Sequence, residues 1–213
     1  MIFELDKNNS IACHFLAELR DKDIQNDRLR FRKNLERLGE VLAYEVSKSL
    51  EYYPAQIQTV LGEKKTGLLK SQPVIVTILR AGLPFYEGFL NFFDRADSGF
   101  IGAFRVEGED ISVESTYKAL GDLSGKDVII VDPMLATGKS IVSTLEQLNS
   151  HGSPNRIHIV AAIAAPEGIE YVQNNLNLNF RLWVGSIDDR LNEKAYIIPG
   201  LGDAGDLCYG QKL

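Results

Sequence analysis

The sequence predicts an α/β fold, a mainly parallel sheet flanked by helices on both faces. Three observations predict it. Short β-branched apolar runs recur along the chain, led by Val74-Ile75-Val76-Thr77-Ile78-Leu79. A run without polar alternation suits a strand buried on both faces. Between such runs lie segments whose apolar residues recur every three or four positions, as in helices packed on one side. Strands alternating with helices imply parallel strands joined by crossovers.

Each element has its own justification. From Ile11 to about Leu50 the period is helical: Ile11, Phe15 and Leu19 share one face, and Leu35, Leu38, Leu42 and Val46 share another. Between them, Arg28-Leu29-Arg30-Phe31-Arg32-Lys33 reads as a solvated helix face, with a nucleic-acid patch carrying an interleaved aromatic as the alternative that the acidic whole disfavours. Pro54 to Gly67 carries no clear period. Val74–Leu79 is the first buried strand, and a helix is expected from Pro84 to Phe93. Phe100 to Phe104 reads as the next strand. Asp127 to Val131 follows, entered through the turn Ser124-Gly125-Lys126. A helix over Ser140 to Asn149 turns Ile141, Leu145 and Leu148 inward, with Gly152 beyond its end. Ile157 to Ile163 is a strand, Pro166 opens a helix to about Asn175, and Phe180 to Val184 is a further strand.

Composition narrows the function classes. The chain has 213 residues, 45% hydrophobic and 24% charged, the balance of a soluble globular domain. One domain of this size buries enough surface to need no disulfide or structural metal. With 23 basic against 29 acidic residues the net charge is −6. Its long-range field therefore does not draw nucleic acid or anionic membrane, although a local cationic pocket for a small anion is allowed. The two cysteines, Cys13 and Cys208, form no CxxC pair. They point to a reducing, cytoplasmic setting and away from a zinc site. Met1 to Asp6 lacks the basic-then-apolar order of a signal peptide, and no apolar run reaches the length of about 18 residues expected of a membrane span.

In open parallel sheets, ligands bind beyond the carboxyl ends of the strands. After Val131 comes Asp132-Pro133-Met134-Leu135-Ala136-Thr137-Gly138-Lys139-Ser140 and then a helix. Gly138, with the hydroxyls of Thr137 and Ser140, lets the backbone curl so that its N–H groups face one point at a helix N-terminus. That is an anion site, to which Lys139 adds a full charge. Asp132, at the strand end, is placed to accept hydrogen bonds from sugar hydroxyls. Gly138-Lys139-Ser140 also ends the nucleotide-triphosphate loop GxxxxGK[ST], but that pattern needs glycine where this chain has Pro133, which lacks an N–H. Met134-Leu135-Ala136 at an exposed loop tip reads as the wall of a pocket for a flat ring.

This loop resembles the signature of the type I phosphoribosyltransferases, and the full DPMLATG string is similar to that of the uracil phosphoribosyltransferases. Ile78-Leu79-Arg80-Ala81-Gly82-Leu83 is similar to the family's pyrophosphate loop. Ala164-Ala165-Pro166-Glu167-Gly168, Ser186-Ile187-Asp188 and Leu191-Asn192-Glu193 match later landmarks. Tyr196 to Asp206 resembles its uracil-binding segment.

The resemblance implies transfer of phosphoribosyl from phosphoribosyl pyrophosphate (PRPP) to uracil, giving UMP and pyrophosphate in pyrimidine salvage. It assigns donor binding to Arg80, Ala81, Gly82, Arg105, Asp132, Pro133, Met134, Leu135, Ala136, Thr137, Gly138, Lys139, Ser140 and Asp203. Arg80, Asp132 and Asp203 are the implied catalytic residues. Met134, Ala136, Ile197, Gly202, Asp203 and Ala204 form the implied uracil site, with backbone groups of Ile197, Gly202 and Ala204 reading the base. It implies Mg²⁺ carried mainly by the PRPP pyrophosphate, with no side chain as direct metal ligand. It further implies a homo-oligomer, GTP as a candidate effector, and a single domain of core 71–189 under a hood from 1–70 and 190–213. The family often has a cis peptide at its Arg–Ala step, here Arg80–Ala81.

The chain departs from the family at Lys139, usually glycine, in the stretch after Arg105, and at Leu207-Cys208-Tyr209. Those departures keep two alternatives open: a non-catalytic PRPP- or nucleotide-sensing regulator with the same fold, and a phosphoribosyltransferase for another base.

Overall fold

The computed structural model describes the backbone of residues 1–106, 112–119, 121–176 and 178–211, and the side chains among these except 103–106, 112–119 and 149. In chain order the elements are β1 (Ile2–Glu4), α1 (Ala12–Arg20), α2 (Arg28–Ser47), β2 (Tyr52–Gln58), β3 (Glu63–Leu69), β4 (Val74–Leu79), α3 (Gly82–Phe92), β5 (Asp97–Val106) and β6 (Ser112–Ala119). They continue with β7 (Asp127–Val131), β8 (Met134–Leu135), α4 (Lys139–Leu148), β9 (Arg156–Ala164), α5 (Pro166–Asn175), β10 (Phe180–Ile187), β11 (Arg190–Leu191), β12 (Ile197–Ile198) and α6 (Ala204–Tyr209).

The main sheet has the order β1-β10-β9-β7-β4-β5-β6, with β8 paired to β9. Its pairings are parallel except β5 with β6. The mainly parallel sheet is therefore as expected. Alternate residues of each central strand enter two separate apolar clusters. Ile75, Ile129, Val131 and Val160 pack with α1, α2 and α3 on one face. Val74, Val76, Val128, Ile130 and Ile159 pack with α4 and α5 on the other. No helix among the described residues is long and apolar enough to cross a membrane.

Several elements differ from expectation. Helix α1 starts at Ala12, so its buried face is Ala12, Leu16 and Leu19, while Ile11 precedes the first turn and stays exposed. Phe15 is half-buried beneath the Arg37 guanidinium, 5.4 Å from the ring centre. The basic run is not wholly solvated. Phe31 is core, Arg30 pairs with Glu18, and Arg32 Nη1 donates to the Cys208 carbonyl at 2.7 Å. The stretch without a period forms the exposed hairpin β2–β3, with Val60 and Leu61 fully exposed at its tip.

One buried group outside the strand ends carries a pH prediction. His158, fully buried in β9, accepts a hydrogen bond at Nδ1 from the indole Nε1 of Trp183 at 3.2 Å, while its Nε2 has no partner. Burial pushes the imidazole down from 6.5 to about 4. Because the folded value lies below the unfolded one, the unfolded chain binds more protons. The stabilisation is complete above pH 6.5 and declines as pH falls toward 4, by about 3 kcal/mol in all. Trp183 is the single tryptophan of the chain. Its fluorescence is expected to track this titration. Thermal melts of His158→Gln, which keeps an acceptor but does not titrate, are expected to fall less steeply than wild type over the same window. Parallel melting curves for the two proteins would refute the assignment.

Candidate active site

The chain leaves β4 for β5 on one side of the sheet and later returns to lay β7 on the other side of β4. Such a reversal opens a crevice at the carboxyl ends of the two strands. Both motif loops begin there.

The first loop leaves β4 through a cis peptide at Leu79–Arg80. That lies one bond before the expected Arg80–Ala81. Ala81 then leads into α3. A β-carbon on Gly82 would lie 2.2 Å from Thr77 Oγ1, and that hydroxyl donates to the Val131 carbonyl at 3.0 Å. Gly82 thus lets α3 seat against the seam of β4 and β7, a packing reason for glycine in addition to the expected approach of a ligand.

The second loop is held at both ends. Asp132 is half-buried, and its Oδ1 accepts from the Met134 N–H at 3.3 Å. The Pro133 carbonyl accepts from the N–H groups of Ala162 and Ile163, each at 3.1 Å. Met134 and Leu135 form β8 against Ile163 and Ala164. This corrects the reading of an exposed apolar tip. Leu135 and Ala136 are buried, Leu135 in the apolar cluster with α4 and α5 and Ala136 in the cluster with α1, α2 and α3, because β8 pairs with the central strand β9, while Met134 is half-buried. Gly138 has φ +76°, and a β-carbon there would lie 2.6 Å from the Gly168 carbonyl. The expected curl at Gly138 therefore coexists with tight packing on α5. Thr137 Oγ1 accepts from the Lys139 N–H at 3.4 Å, and the first turn of α4 opens with Lys139 and Ser140, both half-buried. Lys139 forms no ion pair among the described residues.

The third component is C-terminal. The β11–β12 hairpin leads through a cis Ile198–Pro199 bond to Gly200, at φ +63°, and then to Gly202, at φ +90°. Ile197 and Ala204 are buried, in the same apolar cluster as Ala136, with Met134 packed against it. Asp203 caps α6, its Oδ1 accepting from the Asp206 N–H at 3.0 Å. Asp203 therefore has a structural task beside its expected chemical one.

Arg80 joins the first loop to this segment. Its Nη2 donates to Asp206 Oδ1 at 3.1 Å, and its Nη1 reaches the Gly210 carbonyl at 3.5 Å. Arg32 and Arg80 thereby both meet carbonyls at the C-terminal end of α6, where the helix dipole favours cations. Burial pushes the Cys208 thiol up to about 12, which leaves it inert as a nucleophile. Arg105 falls in β5, and its side chain lies outside the described residues.

Comparison with known proteins decides the family. A family model described as uracil phosphoribosyltransferase matches residues 7–211. The chain belongs to the uracil phosphoribosyltransferase family. A Porphyromonas gingivalis uracil phosphoribosyltransferase is 44% identical, covering 100% of this chain and 99% of that protein. The Pyrococcus furiosus uracil phosphoribosyltransferase is 38% identical over 96% of this chain and 88% of its own length. A solved Aquifex aeolicus protein structure superposes with a TM-score of 0.88 at 38% identity, covering 100% of both chains. A Staphylococcus aureus hypoxanthine phosphoribosyltransferase, at 15% identity and a TM-score of 0.51, shares the fold.

Several side chains that shape the site of this uracil phosphoribosyltransferase family member escaped sequence reasoning. Asp206 holds Arg80, and Arg20 holds Asp188. Gly168 lets α5 approach the second loop, since a β-carbon there would lie 2.1 Å from the Ala136 carbonyl. Gly168 and Asp188 were visible only as parts of family landmarks. The Asp206 and Arg20 pairings join distant positions and leave no local signal.

Proposed function

We propose that this protein transfers phosphoribosyl from PRPP to uracil, releasing pyrophosphate and forming UMP. The observation that carries the reading is the convergence at the β4–β7 crevice of two anion-suited loops and, through Arg80, the C-terminal segment.

Pyrophosphate is held by Arg80 and by the backbone of Ala81 and Gly82, with Arg105 as a second cationic contact. Arginine presents a planar fork matched to phosphate oxygens. The 5-phosphate sits on the N–H groups from Thr137 to Ser140 at the start of α4, with Lys139 adding charge. Asp132 accepts from the ribose hydroxyls and faces the positive charge that grows on the anomeric carbon. The N1 of uracil bonds to that carbon as the carbon–oxygen bond to pyrophosphate breaks, and the N1 proton passes to water. The protein's contribution is positioning and charge stabilisation.

The described residues hold no cluster of three carboxylate, imidazole or thiol groups suited to a metal. Mg²⁺ is expected to arrive on the donor's oxygens, with Asp203 as the side chain that would reach it through water. When bound, Mg²⁺ neutralises charge on the departing pyrophosphate. In the same reading the protein is a cytoplasmic homo-oligomer acting in pyrimidine salvage, its hood built from 1–70 and 190–213, and GTP is a candidate effector.

Backbone N–H groups of Gly202 and Ala204 and the carbonyl of Ile197 match the acceptor–donor–acceptor edge of uracil. Cytosine reverses part of that edge and leaves buried groups unpaired. Ala204 is the first residue of α6 and follows an extended Asp203, at φ −91° and ψ 104°. The backbone tolerates proline at that position, so Ala204→Pro removes one N–H without breaking the helix. The uracil KM is expected to rise about tenfold, as for one lost hydrogen bond, with the PRPP KM unchanged. An unchanged uracil KM would refute the base site. The overall reading is tested by UMP formation from PRPP, Mg²⁺ and uracil. Binding of PRPP without turnover on any base would favour the sensor reading instead.

A further inference from the structure

The loop between Ile197 and Gly202 is gripped from outside by two charged side chains. Arg20 ends α1, and Asp188 follows β10. Arg20 Nη1 donates to Asp188 Oδ2 at 2.7 Å and Nη2 donates to Oδ1 at 2.5 Å. The same Nη1 donates to the Gly200 carbonyl at 3.2 Å, while the Gly200 N–H donates to Asp188 Oδ2 at 2.8 Å. Both backbone polar groups of Gly200 are therefore taken by this one pair. The Asp188 side chain is 3% exposed and that of Arg20 is 23% exposed. The Asp188 N–H is itself fixed on the Ala164 carbonyl at 2.8 Å, at the end of β9. The adjoining Asp189 N–H donates to the Ile198 carbonyl at 2.9 Å.

We propose that Arg20 and Asp188 are positioning residues for base recognition. They transmit the fixed geometry of the sheet and of α1 to the turn that sets Ile197, Gly202 and Ala204 in register. This rests on the base site proposed above. A buried ion pair is a poor source of net stability, because desolvation offsets its attraction. Its directional bonds are what an apolar pair could not replace. Four such bonds converging on one carboxylate and one glycine constrain the turn at Gly200, whose φ of +63° lies in the left-handed region that glycine enters freely and that the bonds therefore have to hold.

The test compares Arg20→Met/Asp188→Asn with Arg20→Lys. The double variant leaves no buried charge unpaired and keeps an oxygen for the Gly200 N–H, while the guanidinium bond to the Gly200 carbonyl is lost. Its uracil KM is expected to rise tenfold or more, with kcat within threefold and PRPP affinity, titrated without base, within twofold of wild type. Arg20→Lys keeps the charge but not the fork, and is expected to recover part of the uracil KM. A uracil KM within twofold of wild type in both variants, or a parallel loss of PRPP affinity, would overturn the proposal. The Ala204→Pro variant separates the two readings. If it raises the uracil KM while the Arg20 variants do not, the base site stands and the positioning role falls. If none of the three raises it, the base site falls as well.

Discussion

Replacing Asp132 with asparagine is expected to lower turnover about 10²- to 10³-fold, the range for removing one preorganised electrostatic contact to a transition state. The substitution is nearly isosteric. Asparagine Oδ1 can still accept from the Met134 N–H, as Asp132 does at 3.3 Å. Pro133 and β8 hold the loop to β9 independently of that side chain. The anchorage of the loop on β9 is therefore expected to remain. In the proposed mechanism, what disappears is a negative charge facing the ribose as its anomeric carbon becomes cationic. Single-turnover kinetics alongside thermal melts check both halves. Wild-type turnover in Asp132→Asn would remove Asp132 from the mechanism.

Arg80→Met is expected to raise the PRPP KM by about 10- to 150-fold, as for the loss of a hydrogen bond to a charged group. The aliphatic part of the side chain is retained, so packing beside α6 changes little. Asp206→Asn is expected to act in the opposite direction. In the proposed site its carboxylate would compete with the donor's phosphates for the same guanidinium, with both side chains rather more than a third exposed. A half-exposed pair of this kind is weak, so donor affinity improves by at most about fivefold. Calorimetric titration with PRPP and Mg²⁺ measures both. If Asp206→Asn weakened donor binding, the contact would be one that prepares Arg80 rather than one that competes for it.

The legibility of the fold followed burial. Val74–Leu79 and Asp127–Val131 match observed strands residue for residue, because both faces are covered and every position except Thr77 and Asp127 is apolar. Pro166–Asn175 was equally plain, since proline marks its first turn. The edge strand β1, the exposed hairpin β2–β3 and the edge strand β6 were not read. They lie at sheet margins, where an apolar period is not required. The frame of α1 slipped by one because Ile11 is apolar yet lies outside the helix.

Within the site, the Asp132 to Ser140 string was legible as an anion loop from its glycine and hydroxyls. Its middle was misjudged. Nothing local in Met134-Leu135-Ala136 indicates that the backbone turns back to join β9. The side chains that connect components escaped for a different reason. Arg80 meets Asp206 across 126 positions, and Arg20 meets Asp188 across 168. Such pairings are products of topology.

The most direct measurement is product formation from PRPP and Mg²⁺ with uracil, cytosine, orotate and hypoxanthine supplied separately, each with and without GTP. The account predicts UMP and equimolar pyrophosphate from uracil alone, with cytosine disfavoured by roughly 10⁴ because its edge leaves buried groups unpaired. Comparable turnover on another base would contradict the assignment of Ile197, Gly202 and Ala204 as the reader of the base, while leaving the donor loops in place.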